Sequence, residues 1–388
     1  MVTERESPNY VWRDAAVGAL VAAIAYFLTA RIGLSLAVPP AYKASAVWPA
    51  SGVALAAAIF WGRGVLPGIW VGAFTGNVAD YYFGSSGFSF AAHAMVAVGI
   101  ATGSTLQAWA AATLLSKWVG KQDLLATGAS VSRLFAAACI ACLIASTVGA
   151  LSLAIAGFAP VSEIGLTWLT WWLGDAVGIV LVTPFLLVWI SKPNRTQREW
   201  IEGILLMLVL LLVGYIAFAD GFTNDALAAS VAYLTVPLIV MATFRFGKYG
   251  ATSSLLLFSS LAIWGTAQGK GPLVFDSTAE SLLSIQAFAG ILALTALSLA
   301  GVLEERKSEA NLKSAAITKM QDLLTEVSTL RSMIPVCAWC KKVRNDAGAW
   351  EQLEMYVQRS FAASFTHGIC PDCRDRADDH DESLESGE

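Results

Sequence analysis

The chain runs to 388 residues, 56% of them hydrophobic and only 14% charged, with a formal net charge of -4 at pH 7 and a mean hydropathy of +0.61. Soluble domains carry about 25% charged residues to cover their surfaces, so this composition excludes a soluble globular protein. No nucleic-acid partner is expected of so apolar and net acidic a chain.

Charge is also unevenly placed, since 11 of the 25 Lys and Arg follow Glu304. Residues 1–303 therefore read as a membrane body and residues 304–388 as a polar appendage. Residues 1–13 read as a cytoplasmic N-terminus. The apolar run after Arg13 is long enough to span and lacks a convincing cleavage site, so it is taken as a helix of the body and not as a secretory signal.

A span needs roughly 20 predominantly apolar residues. Ten are predicted within 14–303: 14–37, 45–62, 65–83, 88–115, 131–157, 164–191, 200–219, 226–245, 249–267 and 281–303. Only Trp61-Gly62-Arg63-Gly64 separates the second from the third, and its two glycines let the backbone reverse tightly. Phe60-Trp-Gly-Arg-Gly and Phe244-Arg-Phe-Gly-Lys-Tyr-Gly each follow a proline-bearing span, with Pro49 and Pro237. They read either as a faint internal repeat or as a chance likeness. With both termini cytoplasmic, the inner segments of the body hold 11 Lys and Arg and the outer loops only Lys43 and Lys270. This is a strong positive-inside bias, and adding or dropping one span would spoil it.

Ionisable groups within spans are costly and are usually functional or paired. Arg31, Asp80 and His93 fall near the outer ends of the first, third and fourth spans, and Asp175 near the middle of the sixth. Trp168, Trp171 and Trp172 precede Asp175 on the same helix, and Trp48 and Asn77 belong to the outer half. The candidate ligand site is Arg31, Trp48, Asn77, Asp80, Trp172 and Asp175, in a hydrated cavity opening outward. Structural readings compete with it. Arg31 can snorkel to the headgroups, Trp48 can belong to an aromatic belt, and Asp80 can serve only as the ion-pair partner of Arg31. Cys139 and Cys142, inside the fifth span, read as small residues at helix-packing positions.

Three stretches carry a family resemblance: "SAVWPASGVALAAAIFWGRGVLPGIWVGAFTGN" from Ser45, "TWWLGDAVGIVLVTPFLLVW" from Thr170, and "FRFGKYGATSSLLLFSSLAIWGTAQGKGP" from Phe244. Over about residues 12–305 the chain resembles the bacterial membrane-associated sensor domains of the first type described (MASE). The resemblance implies an input module in the bacterial inner membrane, a class usually fused to histidine kinase, diguanylate cyclase or PAS segments. It names no stimulus.

Residues 304–334 read as a cytoplasmic helical connector of mixed charge, without glycine. Met320, Leu323, Val327, Leu330 and Ile334 follow the 3-4 spacing of an a/d seam, weakly extended by Lys313 and Ala316. The helix either pairs with its twin in a homodimer or packs on the terminal module. Pro335 ends it.

In residues 335–376, Cys337-x2-Cys340 is followed after 29 residues by Cys370-x2-Cys373. In a reducing cytoplasm this is a four-thiolate zinc pattern, with Lys341 and Lys342 offsetting the charge and His367 as an alternative ligand. Iron is the other metal the sulfur set admits. The Cys-Pro-Asp-Cys sequence also admits a redox reading. Asn345-Asp-Ala-Gly348 signals a turn, and Trp350, Leu353, Tyr356 and Val357 a short amphipathic helix. The segment from Ile334 to Arg374 resembles a module found at the ends of bacterial sensory proteins. It shares Cys-x-x-Cys-Lys-Lys-x-Arg-x-Asp and His-Gly-Ile-Cys-Pro-x-Cys with that module, which implies a signalling accessory. Residues 377–388 read as a disordered acidic tail.

The expected fold is thus an all-α polytopic membrane protein of about ten transmembrane helices, with a helical connector and a small zinc-stapled module. No nucleotide loop, cyclase signature, kinase block or connector histidine is found, so no enzymatic activity is expected. The expected function is sensory: a stimulus relayed to a cytoplasmic kinase, cyclase or response regulator. A transporter or channel regulated by the terminal module is the alternative.

Overall fold

A computed structural model describes residues 8–36, 45–83, 89–120, 123–191, 195–218, 225–331, 334–361 and 363–374. The expectations for residues 1–7, Lys43 and the 377–388 tail lie outside them. The chain divides into two compact units, Met1–Glu309 and Ala310–Glu388.

The first unit is built of helices: α1 (Pro8–Ser35), α2 (Pro49–Trp61), α3 (Leu66–Phe83), α4 (Phe90–Trp118), α5 (Gly128–Ile155), α6 (Val161–Ile190), α7 (Gln197–Phe218), α8 (Asp225–Ala267) and the start of α9 (Thr278–Arg331). Among the described residues eight stretches are long and apolar enough to cross a membrane, and two of them, Pro49–Ala79 and Ser230–Ala267, are 31 and 38 residues long. Their outward faces keep large apolar side chains. On α1, Leu20, Ile24 and Leu28 are exposed while Ala22, Tyr26 and Ala30 are buried. Lipid tolerates such a surface, and helices satisfy their own backbone groups there.

Both long stretches fold back on themselves. Gly33 of α1 lies against Trp48 and Pro49, and Gly18 against Trp61, so α2 runs antiparallel to α1. Gly64 then lies opposite Ala15 and Gly76 opposite Ala30, so α3 returns parallel to α1. The reversal falls in a 3-10 turn, Gly62–Val65, entered through Gly62 at φ +77°. In α8 the break is Gly247, at φ 59° and ψ -140°, a backbone conformation that suits glycine. A Cβ on Gly250 would lie 2.0 Å from the carbonyl oxygen of Ala242, which no continuous helix permits. The two stretches that looked alike in sequence are therefore both chain reversals.

Helix α6 organises the interior, with α2, α5 and α8 packed on it. At 13 residues α2 is only about 20 Å long, short of the roughly 30 Å hydrocarbon core. The segment before it is non-helical chain that bends at Ala46, with Ser45, Ala46 and Val47 buried. The Trp48 N–H donates to Gly174 O of α6 at 3.0 Å. Gly178 makes this approach possible, because a Cβ there would lie 2.1 Å from Trp48 O. Pro49 opens α2, where its missing N–H costs nothing.

In the second unit α9 is helical to Arg331, and Met320 and Leu323 of the expected seam are 66% and 53% exposed. The side chains of Val327 and Leu330 lie outside the description. Strands β1 (Val343–Arg344) and β2 (Trp350–Glu351) pair antiparallel around the Asn345–Gly348 turn, where Asn345 Oδ1 accepts from the Ala349 N–H at 2.9 Å. Helix α10 (Leu353–Phe361) follows, and its Arg359 pairs with Glu351. Val343 is the one fully buried apolar side chain among this unit's described residues.

Candidate functional site

Asp175 of α6 is 9% exposed, and its Oδ1 accepts a 2.7 Å hydrogen bond from Ser51 Oγ, which is 3% exposed. Ser51 lies in the first turn of α2, whose N-terminus has no side-chain cap. A carboxylate near such an end gains from the helix dipole. Oδ2 of Asp175 has no protein partner among the described residues. Ionisable groups inside a membrane body are rare and costly, which makes Asp175 the candidate around which a site is sought.

Asp175 opens on a cavity of about 70 Å³, room for a few water molecules or one small solute. Trp48, Asn77 and Asp175, three of the residues singled out in the sequence, line it together. Trp48 is fixed at both ends: its backbone N–H bonds Gly174 O, and its indole N–H donates to the hydroxyl of the fully buried Tyr26 at 3.4 Å. Asn77 donates from Nδ2 to Ala73 O at 2.8 Å, which leaves its Oδ1 as the free end.

The other expected residues stand elsewhere. Trp172 turns its indole N–H to Cys139 O of α5, at 2.8 Å, while the neighbouring Trp171 lines the cavity. Arg31 is partly buried, has a partner, and is not among the described lining residues. The Asp80 side chain lies outside the description. His93 meets the Phe158 ring edge-on at 4.8 Å, away from the cavity wall. Ser45, Ser51 and Ser104 were not singled out in the sequence, although Ser45 and Ser51 stand in the quoted "SAVWPASG" block, and Trp171 was noted there but not placed in the ligand set.

A second cavity, of about 490 Å³, lies toward the other end of α4 and α6, beside Ala58 of α2, Leu115 of α4 and Pro184 of α6. Lys248, ion-paired with Asp123, belongs to its wall. Between the two, Thr183 Oγ1 donates to Gly52 O at 2.9 Å and closes α6 on α2. Gln107 lies between them along α4, 1% exposed, with no partner for its Oε1 among the described residues.

In the second unit each cysteine pair forms its own tight turn. The Cys340 N–H donates to Cys337 Sγ at 3.5 Å, and Lys341 turns the chain at φ 59°. The backbone N–H of Cys340 holds the Cys337 thiol below its ordinary pKa, and that of Cys373 does the same for Cys370. Each pair thus fits half of a thiolate metal site. Among the described residues, however, no three His, Cys, Asp or Glu side chains come together, so neither the two pairs nor His367 converge on one centre.

With this geometry in place, the MASE1 family model matches residues 17–307. The chain belongs to the MASE1 family. Its membrane body is accordingly an integral membrane sensory domain, a class that implies signal transduction. Both cavities lie inside the MASE1 match, and all four terminal cysteines lie beyond it. No curated protein and no solved structure matches the chain.

Proposed function

We propose that this protein is a membrane sensor without an enzymatic output of its own, relaying a stimulus through α9 and the cysteine-bearing module to a cytoplasmic kinase, cyclase or response regulator. The MASE1 match over residues 17–307 carries this reading. The body crosses the bacterial inner membrane ten times, because two of the eight apolar stretches fold back. Ten passes leave both termini in the cytoplasm, on the side of Arg63, Arg133, Arg195, Arg245 and Lys248. The cavity beside Asp175 then opens outward, and the stimulus acts there.

Two further parts complete the relay. The exposed seam of α9 pairs with that of a second copy. One zinc ion would be held by Cys337, Cys340, Cys370 and Cys373, which requires the two turns to be drawn together. When bound it contributes folding free energy to a unit with little buried apolar surface. Support for the zinc comes from the two half-site turns.

Photo-crosslinking from Leu312 and Met320 in intact bacterial membranes tests the relay. Recovery of a kinase, cyclase or response regulator whose output changes in Asp175→Asn supports it. An output that Asp175→Asn leaves unchanged, or no such partner at all, overturns it. One observation favours a second reading as a transporter or channel: α4 and α6 line both cavities, one toward each end. Solute flux in proteoliposomes that Asp175→Asn abolishes is the result that would select it.

A further inference from the structure

The geometry points to a small organic ammonium ion as the ligand of the cavity beside Asp175, an inference that rests on this cavity being where the stimulus acts. Charge decides the class first. Asp175 is the one ionisable side chain among the described lining residues, so any charge they carry is negative. The N-terminus of α2 offsets about half an elementary charge. The remainder is still negative, which turns away anions and gives a cation the advantage over a neutral solute.

The walls then narrow the cation. Trp48 and Trp171 both line the cavity, and indole faces attract organic cations. A primary ammonium has three N–H donors and no acceptor. Three acceptors stand in the same wall: Asp175 Oδ2, the free Oδ1 of Asn77, and the Ser104 hydroxyl. A volume of about 70 Å³ admits an ion of methylammonium or ethylammonium size.

The site is also built before the ligand arrives. Ser51 holds one oxygen of Asp175, and Gly174 and Tyr26 hold Trp48. Little ordering remains to oppose binding, which favours a small ligand with few contacts.

The test is equilibrium binding of radiolabelled methylammonium to the full chain in lipid nanodiscs, at constant ionic strength. Saturable binding is expected, competed by unlabelled methylammonium and not by equal sodium or potassium, and weakened at least tenfold in Asp175→Asn. If Asp175→Asn does not fold, Ala145→Leu serves, because it fills the cavity wall and leaves the carboxylate in place. Ala145→Leu is expected to block binding while keeping the size-exclusion profile of the parent. Absence of saturable binding overturns the inference, as does equal competition by sodium or potassium. The sensor reading is scored separately. Binding without any change in partner output removes that reading and keeps the site; an output that responds to Asp175→Asn without methylammonium binding keeps the sensor and removes this ligand.

Discussion

Ser51 Oγ donates to Asp175 Oδ1 across 2.7 Å, tying the first turn of α2 to the middle of α6 over a sequence separation of 124 residues. Both groups are buried, so the bond fixes the carboxylate's orientation and the angle at which α2 enters the bundle. Ser51→Ala removes the donor and leaves a buried carboxylate less well satisfied. The expected loss is about 1–2 kcal/mol, since hydrogen bonds to charged groups contribute about 1.5–3 kcal/mol in water-soluble proteins and interhelical bonds in membranes rather less. Unfolding in mixed micelles measures it. Ser51→Thr keeps the hydroxyl and should stay close to the parent.

A second expectation concerns the approach of Trp48 to α6. Gly178→Ala places a methyl 2.1 Å from Trp48 O. The segment before α2 must move away, at a cost of about 1–3 kcal/mol. Gly165, on the same helix, has nothing within 4 Å of a built Cβ. Gly165→Ala should therefore be neutral or stabilise by up to about 1 kcal/mol, as helix propensity dictates. Thermal unfolding of the pair separates crowding from propensity, and equal destabilisation of both would refute the close-approach argument.

The seam of α9 supplies a third. Met320 and Leu323 are exposed within the second unit. If a second copy covers them, Met320→Glu with Leu323→Glu should shift the detergent-solubilised chain from dimer to monomer in sedimentation equilibrium, without altering the helical content of the membrane body. A parent chain already monomeric at micromolar concentration would remove the pairing.

For the cysteine module the expectation is stoichiometric. Chain purified under reducing conditions should hold about one zinc, and Cys370→Ser should lose it along with protease resistance of residues 334–374. Metal analysis with limited proteolysis reads both. A metal-free chain whose Cys370 and Cys373 form a reversible disulfide would make the module a redox element.

Much of the body was legible because the bilayer dictates a length: each pass needs a long apolar run, and few other segments have one. The turn at Gly62 was legible from its two glycines and a cation. By hydropathy alone the helices on either side of it run together, because a four-residue turn interrupts the apolar run too little. The site was harder. Trp48, Asn77 and Asp175 stand out as polar or aromatic groups at similar depth, and they do share a wall. Trp171 and Trp172 lie one turn before Asp175 as its i-4 and i-3 neighbours, and spacing alone cannot choose between them. The structure puts Trp171 in the cavity and gives Trp172 to a carbonyl of α5. Ser51 and Ser104 were invisible for another reason: small hydroxyls are common at helix contacts in membranes, and their role appears only when the facing helix is known. The cysteine pairs were plain from spacing, yet spacing says nothing of whether two turns meet.

The folded-back stretches at Gly62 and Gly247 also bear on biogenesis. Each joins two apolar limbs through a turn too short to carry a flanking soluble loop, so each pair of limbs must enter the bilayer as one hairpin. The first limb of the earlier hairpin, α2, has 13 residues, too few to be retained as a lone segment by an insertion machine that recognises runs of about 20. It is held by α3, which leaves in the same step, and later by α6. Splitting the chain at Arg63 to co-express two fragments should therefore fail, whereas splitting it in the loop after α6 leaves every limb with its partner. For assembly, the smallest indivisible piece of this body is the hairpin.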